Sequence, residues 1–276
     1  MSSLQWLNRP VLREPLALIA FEGWGDAGDS ASLATERFLD TYDSELIATF
    51  DPDEHYDFQV RRPTVMLDET GTRQIDWPEN EIRVIRLPER DLVVILGEEP
   101  NYKWKSFTTE LVEALTILGV SRAVTLGAFI GQVAHTLPVP LVGSSTRPDS
   151  LALHGLVPSG YQGPTGIIGV LNSALGNAGI EVISVWAAVP HYLSNQDYPP
   201  AVEALCLKAS ELLGMTLDIG DLTSRARQFR DTVDQAIEEN AELQQYVEQL
   251  EQEAAEENVE QGGRLVEEIE DFLKDR

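Results

Sequence analysis

The hydrophobic pattern of the chain changes period several times, and each change marks an element. Leu16-Ala17-Leu18-Ile19-Ala20, Leu92-Val93-Val94-Ile95-Leu96-Gly97, Ala123-Val124-Thr125-Leu126-Gly127 and the run from Glu181 to Val189 are nearly continuously apolar. Such runs belong to strands buried on both faces of a parallel sheet. Between them the spacing becomes helical. Residues 30–42 carry a stripe of Leu33, Ala34, Phe38 and Leu39, and 104–118 one of Phe107, Leu111, Ala114, Leu115 and Leu118. Further helices are predicted at 165–178 and at 199–213, the latter opened by Pro199-Pro200 and stopped by Gly214. Leu46–Phe50 reads as the second strand, ending at Asp51. The alternation from 15 to 213 predicts an α/β fold, a three-layer sandwich with helices on both faces of a mostly parallel central sheet.

Three stretches depart from this rhythm. Residues 1–14 are a polar lead-in with one apolar handle, Leu4-Trp6-Leu7. In 52–90 the alternation has period two, over Asp57–Met66, Arg73–Trp77 and Glu81–Leu87, with a turn at Gly71. This predicts half-exposed antiparallel strands at the sheet edge. Residues 132–163 are rich in Pro, Gly, Ser and Thr and read as loops with at most one short strand.

From 217 onward Leu222, Ala226, Phe229, Val233, Ala236, Leu243, Val247, Leu250 and Ala254 recur in steps of three and four, a coiled-coil-like seam with Asn240 at an inner position. Gly262-Gly263 break it, and Leu265, Val266, Ile269, Phe272 and Leu273 resume it as a short second helix. The chain thus divides into an α/β core, 1–216, and an acidic helical hairpin or coiled-coil-like extension, 217–276. The seam serves either a second subunit, in a homo-oligomer with a trimer preferred, or the chain's own core.

Charge narrows the partners. The 276 residues hold 20 Lys and Arg against 46 Asp and Glu, a formal charge of −26, and the extension alone has 18 acids against 6 bases. Nucleic acid and anionic membranes call for clustered Lys and Arg, so neither is expected. No run reaches the ~18 apolar residues of a membrane span, and Met1–Arg13 lacks the apolar centre of a signal peptide. Cys206 is the one cysteine and lies on an apolar helix face, a buried inert thiol. Together these features predict a cytoplasmic protein.

Candidate chemistry concentrates in Phe21-Glu22-Gly23-Trp24-Gly25-Asp26-Ala27-Gly28-Asp29-Ser30, between the first strand and the first helix. Gly23-x-Gly25-x-x-Gly28, with Asp51 ending the next strand, matches a dinucleotide fingerprint in spacing. Electrostatics opposes that reading. Glu22, Asp26 and Asp29 surround the place of the phosphates, no Lys or Arg lies between Glu14 and Asp29, and a cap from Asp29 or Ser30 takes the helix N–H groups. There is no Gly-x-Ser-x-Gly elbow, and His55, His135, His154 and His191 have no metal-ligand spacing. No catalytic residue, metal or cofactor is assigned. Pairing among Asp26, Asp29, Glu98 and Glu99 remains an alternative acid/base or divalent-metal arrangement, against ordinary caps and turns. If the apolar strands are parallel, their C-terminal ends form one rim, with candidate binding residues Gly23, Trp24, Gly25, Asp26, Gly28, Asp29, Glu98, Glu99, Asn101, Tyr102, Trp104, Gly127 and Phe129.

At these residues the chain resembles a known family. Phe21–Gly28 is similar to the N-terminal motif of the proteasome assembly chaperone 2 family, in which a strand ends in a Gly-Trp/Phe-x-Asp-Ala-Gly loop. Gly97-Glu98-Glu99-Pro100-Asn101-Tyr102-Lys103-Trp104, followed by Phe107, resembles the second signature of its actinobacterial-type branch, and Leu126-Gly127-Ala128-Phe129 fits the strand and loop that follow. The resemblance covers about 15–213. It implies a nucleoside-phosphorylase-like α/β sandwich and a non-enzymatic role in binding and assembling other proteins, proteasome subunits among them. Some relatives end in a hydrophobic-Tyr-x motif that docks into proteasome rings, where this sequence reads Asp271-Phe272-Leu273-Lys274-Asp275-Arg276; the family has also been grouped near ATP-grasp ligases, but the sequence has no glycine-rich lid with a Lys. The alternative function is a nucleoside or nucleotide binder or enzyme with a pocket at the rim.

Overall fold

The computed structural model describes residues 2–68 and 70–256. The strands are β1 (Leu4–Trp6), β2 (Leu16–Glu22), β3 (Ser44–Phe50), β4 (Thr64–Leu67), β5 (Arg73–Asp76), β6 (Asn80–Arg86), β7 (Asp91–Glu98), β8 (Arg122–Gly131), β9 (Leu141–Ser145), β10 (Val157–Pro158) and β11 (Glu181–Pro190). The helices are α1 (Ser30–Thr41), α2 (Pro52–His55), α3 (Trp104–Ile117), α4 (Pro148–Leu153), α5 (Ile167–Asn177), α6 (Pro199–Leu213), α7 (Leu222–Glu238) and α8 over 241–256.

Nine strands form one sheet in the order β1-β3-β6-β7-β2-β8-β11-β9-β10. The four central strands, β7, β2, β8 and β11, are mutually parallel. These are the four continuous apolar runs. β1, β3 and β6 add antiparallel strands on one side, and β9 pairs antiparallel with β11 on the other.

Period-two geometry sends alternate residues of the central strands to opposite faces. Leu16, Leu18 and Ala20 of β2 join Leu92 and Val94 of β7 beneath α1, α6 and α7. Ala17, Ile19 and Phe21 join Val93 and Ile95 beneath α3 and α5. Both faces are apolar because both are covered, so the fold is the expected three-layer α/β sandwich.

Three expectations need correction. Residues 58–60 form a turn, and β4 and β5 pair only with each other, as a two-stranded ribbon outside the main sheet; β6 alone of that stretch enters it. The stretch 132–163 is more ordered than a loop, because β9, α4 and β10 extend the sheet beyond β11. The polar lead-in supplies an edge strand, β1, paired with β3.

The seam after 217 packs within the chain. Leu222 and Val233 of α7 are buried in the core under α6, with Phe229 and Ile237 against it, and Phe229 meets Tyr198 edge to face at 5.6 Å. Val247 and Leu250 of α8 bury Ala134. Asn240 is not an inner seam residue. It lies in the break between α7 and α8, where its Oδ1 accepts the N–H groups of Glu242 at 3.0 Å and Leu243 at 3.3 Å, an N-cap. The predicted helix after Gly262-Gly263 lies outside the described residues.

Candidate functional site

Because the central strands are parallel, their C-terminal ends do share one edge, and the loop after β2 lies there. The chain turns through positive φ at Gly23 (119°), Gly28 (59°) and Asp29 (46°), with a 3₁₀ turn over Ala27–Asp29. Gly28 also lies under the Tyr198 backbone, whose N–H reaches the Gly28 carbonyl at 3.1 Å. The loop then runs beside β8, with the Ala128 N–H donating to the Gly25 carbonyl at 2.8 Å.

This path moves the cap of α1. Neither Asp29 nor Ser30 caps the helix: Asp29 makes no side-chain cap, and the Ser30 hydroxyl donates to the Ala27 carbonyl at 2.8 Å. Asp26 caps it instead. Its carboxylate accepts the N–H of Ala31 at 2.5 Å and that of Ser32 at 3.2 Å. Asp26 is 4% exposed, and burial pushes its carboxyl up to about 6 despite these hydrogen bonds.

The second helix end on the rim is closed in the same way. Glu99 Oε1 accepts the Ile167 N–H at 2.7 Å at the start of α5. Helix N-termini are where α/β proteins hold phosphates. Here the chain's own carboxylates take up N–H groups at both.

The remaining acids separate rather than pair. Glu98 is held by Arg61, which also reaches Glu22 at 2.8 Å. Burial, and then the charge of Glu98, raise the Glu22 carboxyl above its ordinary range. Arg61 was not legible as a rim residue, since it arrives from the excursion before the ribbon. The arrangement of Asp26, Asp29, Glu98 and Glu99 as one acid/base or metal group therefore does not form: Asp26 and Glu99 cap different helices and Glu98 faces Arg61.

Asn101 and Tyr102 form a second group beside α2. The backbone N–H groups of Asn101 and Tyr102 donate to the His55 carbonyl at 2.8 and 3.0 Å, and the Tyr102 hydroxyl donates to Asp57 at 2.7 Å. The Trp104 indole N–H donates to the Pro100 carbonyl. Trp104 is half-buried, whereas Trp24 is 63% and Tyr102 50% exposed. Phe129 lies further along β8, beside Gly131.

Two buried histidines do structural work nearby. His55 Nε2 meets the Ser3 hydroxyl at 2.7 Å, and Glu110 accepts the N–H groups of Ser3 and Leu4, each at 2.8 Å. The carboxylate thus holds the chain's first residues, not the far side of the imidazole, so these three groups are not a nucleophilic triad. His135 Nδ1 meets the Tyr192 hydroxyl at 2.8 Å and its Nε2 meets Asp234 of α7 at 2.9 Å, fastening the extension to the core. Burial raises the Tyr192 hydroxyl above its ordinary value, the reverse of an activated nucleophile. The Cys206 thiol, fully buried and pushed up to about 12 by burial, is inert as expected.

The central rim residue missing from the sequence reading is Trp186, read there only as part of a strand. It stands on β11 opposite Gly127 of β8. A Cβ added to Gly127 would lie 2.6 Å from the Trp186 ring, and one on Gly25 would lie 3.1 Å from it. The two glycines therefore make the bed of the indole, whose N–H donates to Ser184 at 3.0 Å. Gly127→Ala is expected to destabilise by about 2 kcal/mol, and Trp186→Leu to relieve part of that. Thermal unfolding of the two singles and the double tests this: simple additivity would sever Gly127 from the ring.

Fold and rim together define a three-layer α/β protein whose rim helix N-termini are capped by its own carboxylates, with Trp24 and Tyr102 exposed beside them. The PAC2 family profile matches residues 20–237, and the chain belongs to the PAC2 family. A PAC2 family protein from Streptomyces avermitilis is 40% identical, with a TM-score of 0.77 over 84% of this chain and 99% of that one. A proteasome-assembly chaperone homologue from Mycobacterium tuberculosis is 37% identical, with a TM-score of 0.77 over the same shares, 84% and 99%. A second M. tuberculosis protein, of unknown function, is 28% identical, with a TM-score of 0.82 over 91% of this chain and 90% of its own. No curated protein matches. The actinobacterial relatives bear out the resemblance carried by Phe21–Gly28 and Gly97–Trp104.

Proposed function

We propose that this chain is a non-enzymatic assembly protein that binds subunits of a larger protein complex, in the manner of a proteasome-assembly chaperone, with the strand-end rim as its contact surface. The observation that carries this reading is the combination of a rim whose helix N-termini are capped by Asp26 and Glu99 and two aromatics, Trp24 and Tyr102, held largely in solvent beside them. Exposed aromatics on a rigid frame are typical anchors of protein interfaces. The 37% identical relative described as a proteasome-assembly chaperone homologue points to proteasome subunits as the first partners to try. A cytoplasmic setting and self-association of the chain belong to the same reading, and no cofactor is needed for it.

The test mixes the purified full chain with separately purified α and β subunits of an actinobacterial proteasome and measures complexes by native mass spectrometry and titration. A defined complex is expected, weakened about thirtyfold by Trp24→Ala. Absence of a complex with either subunit, together with saturable binding of a nucleoside or nucleotide at the rim, would overturn the proposal in favour of a small-molecule site.

A further inference from the structure

Trp24 does not stand alone on the rim. A Cβ added to Gly166, just before α5, would lie 3.2 Å from the Trp24 ring and 2.7 Å from Glu99 Oε1. The indole and the Glu99 carboxylate therefore sit side by side against one glycine, with most of the ring in solvent. The two oxygens of Glu99 differ. Oε1 accepts the Ile167 N–H at 2.7 Å, which fixes the direction of the carboxylate. Oε2 lies toward Gly23, 3.8 Å from where a Cβ would stand there, and takes no hydrogen bond among the described residues.

Charge decides what such a surface holds. Residues 21–30 and 97–104 carry five acids, Glu22, Asp26, Asp29, Glu98 and Glu99, against one base, Lys103. That lysine pairs with Glu54, and Arg61 is committed to Glu22 and Glu98. Among the described residues no cation answers Glu99. An anionic partner would meet a field of its own sign, on a chain that carries −26 overall. A purely apolar partner would cover the indole and strip water from the carboxylate beside it without replacing that water. A guanidinium satisfies both neighbours: its flat face stacks on an indole, and its edge donates to a carboxylate.

We propose that the rim takes a basic segment of its protein partner, anchored by an arginine that stacks on Trp24 and donates to Glu99 Oε2. This rests on the reading of the rim as a protein contact and names the chemistry of what it contacts. Glu99 then has two duties, one for each oxygen: it closes the start of α5 and it receives the partner. Because the first duty holds the carboxylate in place before the partner arrives, little side-chain freedom is lost on binding.

The experiment titrates the full chain, labelled with ¹⁵N at its tryptophan indoles, with N-acetyl-arginine amide and with the uncharged citrulline amide of the same shape. The chain has five tryptophans. Trp24→Leu identifies the Trp24 signal, and the other four indoles serve as internal controls. The arginine probe is expected to move the Trp24 signal with a dissociation constant of about 1–10 mM, and the citrulline probe to bind at least about tenfold more weakly. Glu99→Gln, which keeps an acceptor for the Ile167 N–H, should weaken the arginine probe about tenfold, with a melting temperature within about 2 °C of wild type. In the subunit titration described above, the same variant should weaken the complex about tenfold. Equal response to the two probes, or none at Trp24, would overturn the arginine anchor on the wild type alone. A subunit complex that is weakened by Trp24→Ala but indifferent to Glu99→Gln would also overturn it, while leaving the rim as the contact surface. Charge-selective probe binding without any subunit complex would support the anchor and remove proteasome subunits as the partner.

Discussion

Replacing Gly97 with alanine is expected to destabilise the protein by about 3 kcal/mol, among the largest effects available to a one-methyl change. Gly97 is the β7 residue opposite Asn80 of β6. An added Cβ would lie 2.7 Å from the Asn80 Cα and closer still to the Glu79 carbonyl oxygen. Those are backbone atoms of a paired strand and of the residue just before it, so no rotamer change relieves the clash; the start of β6 must move. The displacement breaks a buried junction, because Asn80 Nδ2 donates to the Tyr56 hydroxyl and, at 3.1 Å, to the Glu98 carbonyl, while Tyr56 donates to that same carbonyl at 2.7 Å. The junction places Glu98 for Arg61, so the variant should loosen the rim as well as melt early. Thermal unfolding should show a fall of roughly 6–12 °C for a chain of this size. Gly160→Ala is the control, since a Cβ there meets nothing within 4 Å. Equal behaviour of the two variants would mean that β6 is held too loosely to register the clash.

How much of this was legible in the sequence depends on the range of the interactions involved. The central strands could be read because each carries its own signal: a strand covered on both faces must be apolar throughout, as Leu16–Phe21 and Leu92–Leu96 are. The ribbon could not be separated from the sheet edge, because alternation is the same in both and only tertiary pairing distinguishes them. Asn240 was hidden for a related reason. The steps of three and four run unbroken through it, yet its short amide accepts the next two free N–H groups, and the helix restarts there. Trp186 carries no local signal at all. Gly25, Gly127 and Trp186 become one feature only when β8 pairs with β11 and the β2 loop folds over both. Arg61 likewise reaches Glu22 and Glu98 from outside the strand–loop–helix unit that drew attention to the rim.

The cap of α1 combines both kinds of information, and it yields the second large effect. Capping rules look one residue before a helix, at Asp29; here Gly28 and Asp29 adopt positive φ and bring back a carboxylate from further upstream. Asp26→Ala should destabilise by about 2–4 kcal/mol, since it removes the cap and leaves the Ala31 and Ser32 N–H groups unpaired in the interior. Asp26→Asn keeps an acceptor oxygen and removes the charge, and its effect depends on pH. The folded carboxyl sits at about 6, above its ordinary 3.8, so the folded state binds the proton more tightly than the unfolded one. The group's contribution to stability is therefore fully present below about pH 4, is lost as pH rises toward 6, and is flat above that. Asparagine does not titrate, so the stability of Asp26→Asn relative to wild type should rise by about 2–3 kcal/mol between pH 4 and pH 7. Denaturant unfolding across that range measures the difference directly, with the other carboxylates common to both proteins. Parallel curves would mean that the two N–H donors and the positive end of α1 fully offset burial, and that the acid costs the fold nothing at neutral pH. A rising difference would mean that the protein keeps a destabilising charge at the centre of its rim, where an uncharged cap would hold the helix better.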